Sequence, residues 1–364
     1  MLKMPSAFRL VIPVVLLLCA GLAISGCDNA STNNSGSSEV RLQGAGATFP
    51  NPLYQKWFSE YNKTHPNLKF DYQSIGSGGG IKQISSNTVD FAGSDATLTD
   101  QQLKEAPGEL LHIPSVMGAV VMTYNIPTAG NATLKFSGDT IAGIYLGNIK
   151  KWNDPKIAAD NPGVKLPADD ITVVSRSDGS GTTFVFTDYL SKVSPEWKDK
   201  VGTGTSVKWP VGVSAKGSEG VTGQVKQSPN SIGYVELIYA EQNKLPYADV
   251  KNAAGQFVKP SMQTVTNAAA GAASTIPADL RVSITDAPGQ DAYPISTFTY
   301  FLVYKDQKDK DKGKALVDFL WWATHDGQKM ATDLIYAPLP AEVVQKDEEK
   351  IKSITSSGSP LYKG

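Results

Sequence analysis

Cysteine is almost missing: the 364 residues hold two, Cys19 and Cys27. Both stand near the N-terminus, so no disulfide framework or cysteine metal cluster can organise the rest of the chain. Stability must come from a packed core. Histidine is equally scarce, with His65, His112 and His325 scattered outside any ligand-spaced or triad-like motif. They read as ordinary helix, strand-edge and surface residues, and no metal or cofactor is expected. Neither sign of charge dominates, with 34 Lys and Arg against 35 Asp and Glu. That balance argues against nucleic acid as a partner. It also means that any anion must be held by a local site rather than by a broad positive field. No apolar run reaches the roughly 20 residues that a spanning helix needs. No GxxxxGK(S/T) loop occurs, no GxGxxG is followed by a ribose-binding acid, and no repeat of fixed period is visible.

What is present begins with an address. Lys3 and Arg9 precede an apolar stretch over residues 10–23 that includes Val14, Val15, Leu16, Leu17 and Leu18. A cationic start, a short apolar core and small residues after it read as a secretory signal peptide over residues 1–26. Its end, Leu22-Ala23-Ile24-Ser25-Gly26-Cys27, resembles the bacterial lipobox, in which the cysteine receives a diacylglycerol. The plainer alternative is an ordinary signal peptide with an incidental cysteine. A lipid on Cys27 would anchor the chain at a membrane surface. Cleavage before Cys27 leaves 338 residues with a net charge of −3, from 32 cations and 35 acids. Residues 27–39 are rich in Asn, Ser and Gly, with no apolar residue larger than Ala beyond Cys27, and read as a flexible tether.

From Val40 onward, strand and helix patterns alternate. Residues 40–42 read as a strand. Leu53, Trp57, Phe58 and Tyr61 mark one face of a helix over residues 51–63. Strands follow at 69–73 and 89–93, and a long one at 115–124. Further strands are expected at 171–175, 231–235 and 292–303. Helices are expected at 80–87, 99–104, 140–146, 183–191, 223–227, 315–323 with Trp321 and Trp322 at a buried end, and 341–356. Such alternation predicts an α/β fold with a largely parallel sheet. Two lobes follow from the pattern: residues 40–114 plus 290–364, and residues 115–289, with crossings near 115 and 290 as a hinge. One large sheet fits the same pattern. Trp57, Trp152 and Trp209 also read as core or surface packing, and the mixed-charge stretch 305–314 as a solvated loop.

Three glycine-rich turns stand between a strand and a helix. They are Gly44-Ala45-Gly46-Ala47-Thr48-Phe49-Pro50, Gly76-Ser77-Gly78-Gly79-Gly80, and Arg176-Ser177-Asp178-Gly179-Ser180-Gly181-Thr182-Thr183. A helix start leaves backbone N–H groups unpaired and carries partial positive charge. Small residues let a ligand approach that backbone. Each turn alone could simply begin a helix. Three in one chain, one beside an arginine, point to a small inorganic anion.

The runs GAGATFPNPLYQKW, GSGGG followed by IKQI, NTVDFAGSDATL, IYLGNIKKWNDP, RSDGSGTTFVFTDYL, VGTGTSVKWPVG and SIGYVE occur in this order, ending in Ser359-Pro360-Leu361-Tyr362. Over residues 42–362 they resemble the periplasmic phosphate-binding proteins of the high-affinity phosphate ABC transporter, the Pst system. The resemblance implies a periplasmic binding protein-like α/β fold of type II, two lobes with a hinge and a central ligand cleft. It implies phosphate contacts from Ala47, Thr48 and Phe49 in the first turn, from Ser77 in the second, and from Ser180, Gly181 and Thr182 in the third. Arg176 would be the cation of the site, with Asp178 pairing it. Asp95 would read a proton on the ligand. An ionised carboxylate only accepts hydrogen bonds, so it favours an anion that still carries a hydrogen and repels sulfate. The implied partners are inorganic phosphate, the membrane permease subunits of an ABC importer, and the membrane through the lipid; a monomer is expected.

Other readings remain open at this point. Asp95 could merely cap a helix beginning near Ala96, and Arg176 could form a surface ion pair with Asp178. A secreted phosphatase-like hydrolase would use Ser180 or Ser77 as nucleophile, but needs a base or metal that the motifs do not supply. A binder of another oxyanion, such as sulfate or molybdate, would share the same turns.

Overall fold

The structure is a computed structural model, and it describes residues 39–130 and 132–364. The expected signal peptide, the lipobox cysteine Cys27 and all of the tether except Glu39 lie outside the described residues. Among those described, no helix is long and apolar enough to cross a membrane.

The strands are β1 (Val40–Gly46), β2 (Leu68–Ser74), β3 (Phe91–Ser94), β4 (Leu110–Asn125), β5 (Lys135–Phe136), β6 (Thr172–Arg176), β7 (Val213–Ala215), β8 (Ser231–Glu236), β9 (Asp249–Lys251), β10 (Phe257–Val258), β11 (Ser296–Tyr304), β12 (Thr355–Ser356) and β13 (Ser359–Pro360). The helices are α1 (Asn51–Thr64), α2 (Ser77–Ser85), α3 (Asp100–Glu105), α4 (Gly138–Tyr145), α5 (Pro155–Asp160), α6 (Gly181–Val193), α7 (Pro195–Lys200), α8 (Gly217–Gln227), α9 (Leu237–Gln242), α10 (Met262–Ala272), α11 (Lys310–Thr324) and α12 (Ala341–Lys352).

Eight strands form one sheet in the order β2-β1-β3-β11-β4-β8-β6-β7. Its two ends are parallel triples of the same design. In each, the first strand in sequence lies in the middle, β1 between β2 and β3, and β6 between β7 and β8. Helices connect the strands within each triple, as parallel pairing requires. The centre departs from the largely parallel expectation: β3–β11, β11–β4 and β4–β8 are all antiparallel. The reason is that β4 and β11 cross between the triples instead of winding within one. β4 pairs with β11 from Leu110 to Ala119, then with β8 from Val120 to Asn125.

β4 begins five residues before the expected start, because it contains Pro114. Proline cannot donate to a sheet ladder, so within central strands it belongs at an irregularity. Here the register slips at that point: Thr299 faces Val116 and Tyr300 faces Pro114, leaving Ser115 unmatched. Such a bulge redirects side chains, often beside a site.

Each half of the sheet has an aromatic core. Tyr54 of α1 stacks on Phe301 at 4.6 Å, and Phe58 on Phe70 at 4.4 Å. On the other side Phe186 of α6 stacks on Tyr234 at 4.4 Å, with Tyr145 and Trp209 against them. Trp57 and Trp152 are buried, while Trp209, Trp321 and Trp322 are half-buried, so the Trp321–Trp322 pair does not mark a fully buried helix end. Half of the stretch read as a solvated loop is helical: α11 starts at Lys310 under the cap of Asp309, and Lys312 and Lys314 pair with Asp90 and Asp318. The last helix is shorter than expected. Ser357 and Gly358 both take positive φ and turn the chain into the β12–β13 hairpin, the geometry of a two-residue hairpin loop.

Candidate anion-binding site

The expected phosphate-contact residues are all described and buried, with Asp178 half-buried beside them, and they gather around the loops that leave β1, β2, β3 and β6. In open α/β sheets that is where ligands bind, at the carboxyl ends of the strands.

The first loop follows β1. Thr48 is buried, and its backbone N–H and that of Phe49 have no partner among the described residues. Their carbonyls are held from behind: Tyr239 donates to the Thr48 carbonyl at 2.5 Å and Tyr336 to that of Phe49 at 2.6 Å. Ala47 differs from the expectation. Its N–H donates to the Gly93 carbonyl at 2.8 Å, extending the β1–β3 pairing, so it has no free donor to offer.

The second loop places Ser77 as the first residue of α2. Its hydroxyl accepts the Asp95 N–H at 3.2 Å and keeps its own proton. The third loop follows β6. Ser180 caps α6, its hydroxyl accepting the Thr183 N–H at 3.0 Å. Gly181 and Thr182 occupy the first turn, where N–H groups lack helical partners. The Thr182 hydroxyl is buried with no hydrogen-bond partner among the described residues.

Close packing joins these loops. The Gly78 N–H donates to the Gly179 carbonyl at 2.9 Å. A Cβ on Gly181 would lie 2.3 Å from the Ser77 hydroxyl and 2.6 Å from Asp95 Oδ2, which no side chain could tolerate. Gly76, at φ +85°, is the second glycine demanded by geometry: a Cβ there would meet Asp178 Oδ2 at 2.3 Å.

Three charged groups set the electrostatics. Arg176 is 4% exposed and is gripped by Asp178 through Nε at 2.8 Å and Nη2 at 2.6 Å. The pair is therefore a buried orienting contact, not a surface ion pair. Burial pulls the guanidinium pKa down, but the hydrogen bonds and charge of Asp178 more than offset this, and it ends above its ordinary value. Asp178 is pushed up by burial and held down by Arg176, ending below the usual carboxylate range.

Asp95 is 3% exposed, and Thr299 of β11 donates to its Oδ1 at 2.8 Å. Burial pushes its pKa up to about 7, against the opposing effects of the Thr299 hydrogen bond and the Arg176 charge. The carboxyl is therefore balanced between its two forms near neutrality, instead of being firmly ionised. It caps no helix, since α3 starts at Asp100 under a capping box between Thr99 and Gln102. Sequence reasoning missed Thr299, whose aim depends on the bulge at Ser115. It also missed Ser218, buried in the first turn of α8, whose hydroxyl is 2.7 Å from that of Thr48. The run Lys216-Gly217-Ser218-Glu219-Gly220 was the available signal, a fourth glycine-serine helix start.

The histidines lie apart from this cluster. His112 is not a strand-edge residue: it is 2% exposed in β4, and its Nε2 accepts the Leu98 N–H at 3.0 Å. Burial lowers its pKa to about 3, with Arg281 adding to the effect, so it stays neutral.

Comparison with known proteins agrees with this geometry. The family model described as a PBP superfamily domain matches residues 31–324. A protein of Xylella fastidiosa named "Phosphate-binding protein PstS" is 46% identical, covering 92% of this chain and 95% of its own. The protein of that name in Pasteurella multocida is 47% identical, covering 88% and 93%. Among solved structures, a phosphate-binding protein from Stenotrophomonas maltophilia superposes with a TM-score of 0.68 at 22% identity, over 88% of this chain and 99% of that one. The chain belongs to the PBP superfamily and, within it, to the family of PstS phosphate-binding proteins.

Proposed function

We propose that this chain is an extracytoplasmic receptor that captures inorganic phosphate and delivers it to the permease subunits of an ABC importer. One observation carries the reading: a buried carboxyl, Asp95, shares a closed cluster with Arg176 and with unpartnered donors on Thr48, Phe49, Gly181 and Thr182. Fixed amides and hydroxyls replace water around the ion. Arg176 neutralises part of its charge, in a planar geometry suited to two oxygens. Asp95 shares one proton with the ligand through a charge-assisted hydrogen bond. Phosphate titrates near neutrality and can supply that proton; sulfate cannot.

The ligand contacts assigned to the chain are Thr48, Phe49, Ser77, Asp95, Arg176, Ser180, Gly181 and Thr182, with Asp178 in support and Ala47 shaping the first loop. Two lobes, residues 40–114 with 290–364 and residues 115–289, would meet at the site and hinge where β4 exchanges partners. An ion gripped from both sides then favours the closed arrangement by its differential affinity. The name of the Xylella relative and the phosphate-bound structures among the neighbours support this ligand class.

Capture proceeds without turnover in this reading. The hydroxyls of Ser77 and Ser180 are engaged by the Asp95 and Thr183 amides, and no histidine reaches them. Export through residues 1–26, anchoring through Cys27 and a monomeric state complete the proposal. Calorimetric titration with phosphate, followed by sulfate and molybdate, tests the ligand, and incubation with a chromogenic phosphate ester tests the absence of turnover. Tight 1:1 phosphate binding without hydrolysis is expected. Hydrolysis, or a preference for sulfate or molybdate, would overturn the reading.

A further inference from the structure

The two parallel triples of the sheet are built alike, and so are the helix starts they carry. The middle strand of the first, β1, leads to the Thr48 loop, and β2 leads to Ser77 at the start of α2. The middle strand of the second, β6, leads to the Ser180 loop, and β7 leads to α8 with Ser218 in its first turn. Ser218 is thus the counterpart of Ser77 in the other half, and it is completely buried.

We propose that Ser218 is a positioning residue that aims the Thr48 hydroxyl proton into the anion site; this rests on the phosphate reading above. Arg176 Nη1 lies 3.5 Å from the Ser218 hydroxyl oxygen, and a guanidinium can only donate. Ser218 Oγ therefore accepts from the arginine and has one proton to give. Its near neighbour is Thr48 Oγ1 at 2.7 Å. The Ser218 backbone N–H also points to Thr48 Oγ1, at 3.3 Å. With both lone pairs of Thr48 Oγ1 engaged from one side, its own proton turns away from α8, toward the cluster where the Thr48 and Phe49 N–H groups are unpaired. Donors in series polarise one another, so the arginine strengthens the last donor of the row. The same turn of α8 holds the arginine too: the Gly217 N–H donates to Asp178 Oδ1 at 3.0 Å. One helix start thereby sets the direction of a hydroxyl in one half of the sheet and of a guanidinium in the other.

The test is a double-mutant cycle read by phosphate calorimetry, using Ser218→Ala, Thr48→Val and the pair, with Ser218→Thr as the hydroxyl-bearing control. Ser218→Ala is expected to weaken phosphate binding about tenfold, or ~1.4 kcal/mol, with the ligand-free melting temperature unchanged. In the Thr48→Val background it should cost almost nothing more, because the proton it directs is gone. Ser218→Thr should recover most of the affinity. Wild-type affinity in Ser218→Ala, or losses that simply multiply in the pair, would overturn the inference while leaving phosphate capture standing. If Ser218→Ala melts early, the Ser218→Thr comparison with wild type in the two Thr48 backgrounds decides: equal binding supports the relay, and loss with the hydroxyl retained refutes it. A wild-type protein that does not bind phosphate would remove the parent reading itself.

Discussion

Replacing Asp95 by asparagine changes a charge with little change in shape. The amide oxygen can still accept the Thr299 hydroxyl, now 2.8 Å from Oδ1, which leaves the amide NH2 where Oδ2 lies beside Gly181. A group that accepts from a protonated ligand oxygen becomes one that donates to a bare oxygen. Hydrogen bonds to charged groups contribute about 1.5–3 kcal/mol, so phosphate affinity should fall about 10- to 100-fold. Sulfate should move the other way, because a buried, repelled charge costs several kcal/mol and the variant removes it. Competition calorimetry at pH 8 should show discrimination collapsing from orders of magnitude to less than tenfold. The carboxyl's elevated value adds a pH test. With a pKa of about 7, the carboxyl is mostly ionised at pH 8 and protonated at pH 5, and a protonated carboxyl can donate to sulfate. Weak sulfate binding by the wild-type protein should therefore strengthen about tenfold between those pH values, following the protonated fraction, and stay flat in Asp95→Asn. A variant that still rejects sulfate as the parent does would refute the reasoning.

Gly181→Ala should abolish tight binding, by ~100-fold or more on the scale of a disrupted buried contact, because the added methyl would sit 2.3 Å from the Ser77 hydroxyl. Its ligand-free melting temperature should fall as well, because the clash with Ser77 and Asp95 exists without phosphate, and differential scanning calorimetry with and without phosphate separates the two effects. His112→Leu leaves the Leu98 N–H without its acceptor, at an expected cost of ~1–3 kcal/mol in denaturant unfolding; asparagine or glutamine should recover part of it. Asp347 is completely buried in α12 with neither oxygen partnered among the described residues, and burial holds its pKa well above the ordinary value. The folded state therefore keeps a proton that the unfolded chain releases above its ordinary carboxylate pKa, so this group's contribution falls as pH rises beyond that point. Asp347→Leu should stabilise the protein by ~1–3 kcal/mol at pH 7 and flatten part of the decline, as urea titrations at pH 5 and pH 8 would reveal.

The order of elements could be read from local patterns, and so could most of the site, because glycine and serine at a strand-to-helix turn have a local cause. The centre of the sheet could not. β4 looks like any long apolar strand, and nothing local says that it serves two partners in succession. The bulge depends on how residues 114–116 meet Thr299 and Tyr300, segments far apart in sequence, so Thr299 is legible only as one hydroxyl in an aromatic strand. His112 is hard to place from sequence because a lone polar residue in an apolar run looks like an edge, whereas it satisfies one loop amide. Ala47 failed for the opposite reason: the turn is read correctly, but the β1–β3 pairing continues one residue further and consumes its donor. Ser218 belonged to the same design as the recognised turns, yet its helix was read only from Gly223 onward, six residues past its start.

In this reading, oriented donors from both halves of the sheet enclose one desolvated phosphate whose proton Asp95 shares. Isothermal titration of the purified protein with orthophosphate at pH 7, repeated in excess sulfate, tests it most directly. A saturable 1:1 isotherm that sulfate leaves in place is the predicted result. No heat with millimolar orthophosphate, or full displacement by an equal concentration of sulfate, would contradict it.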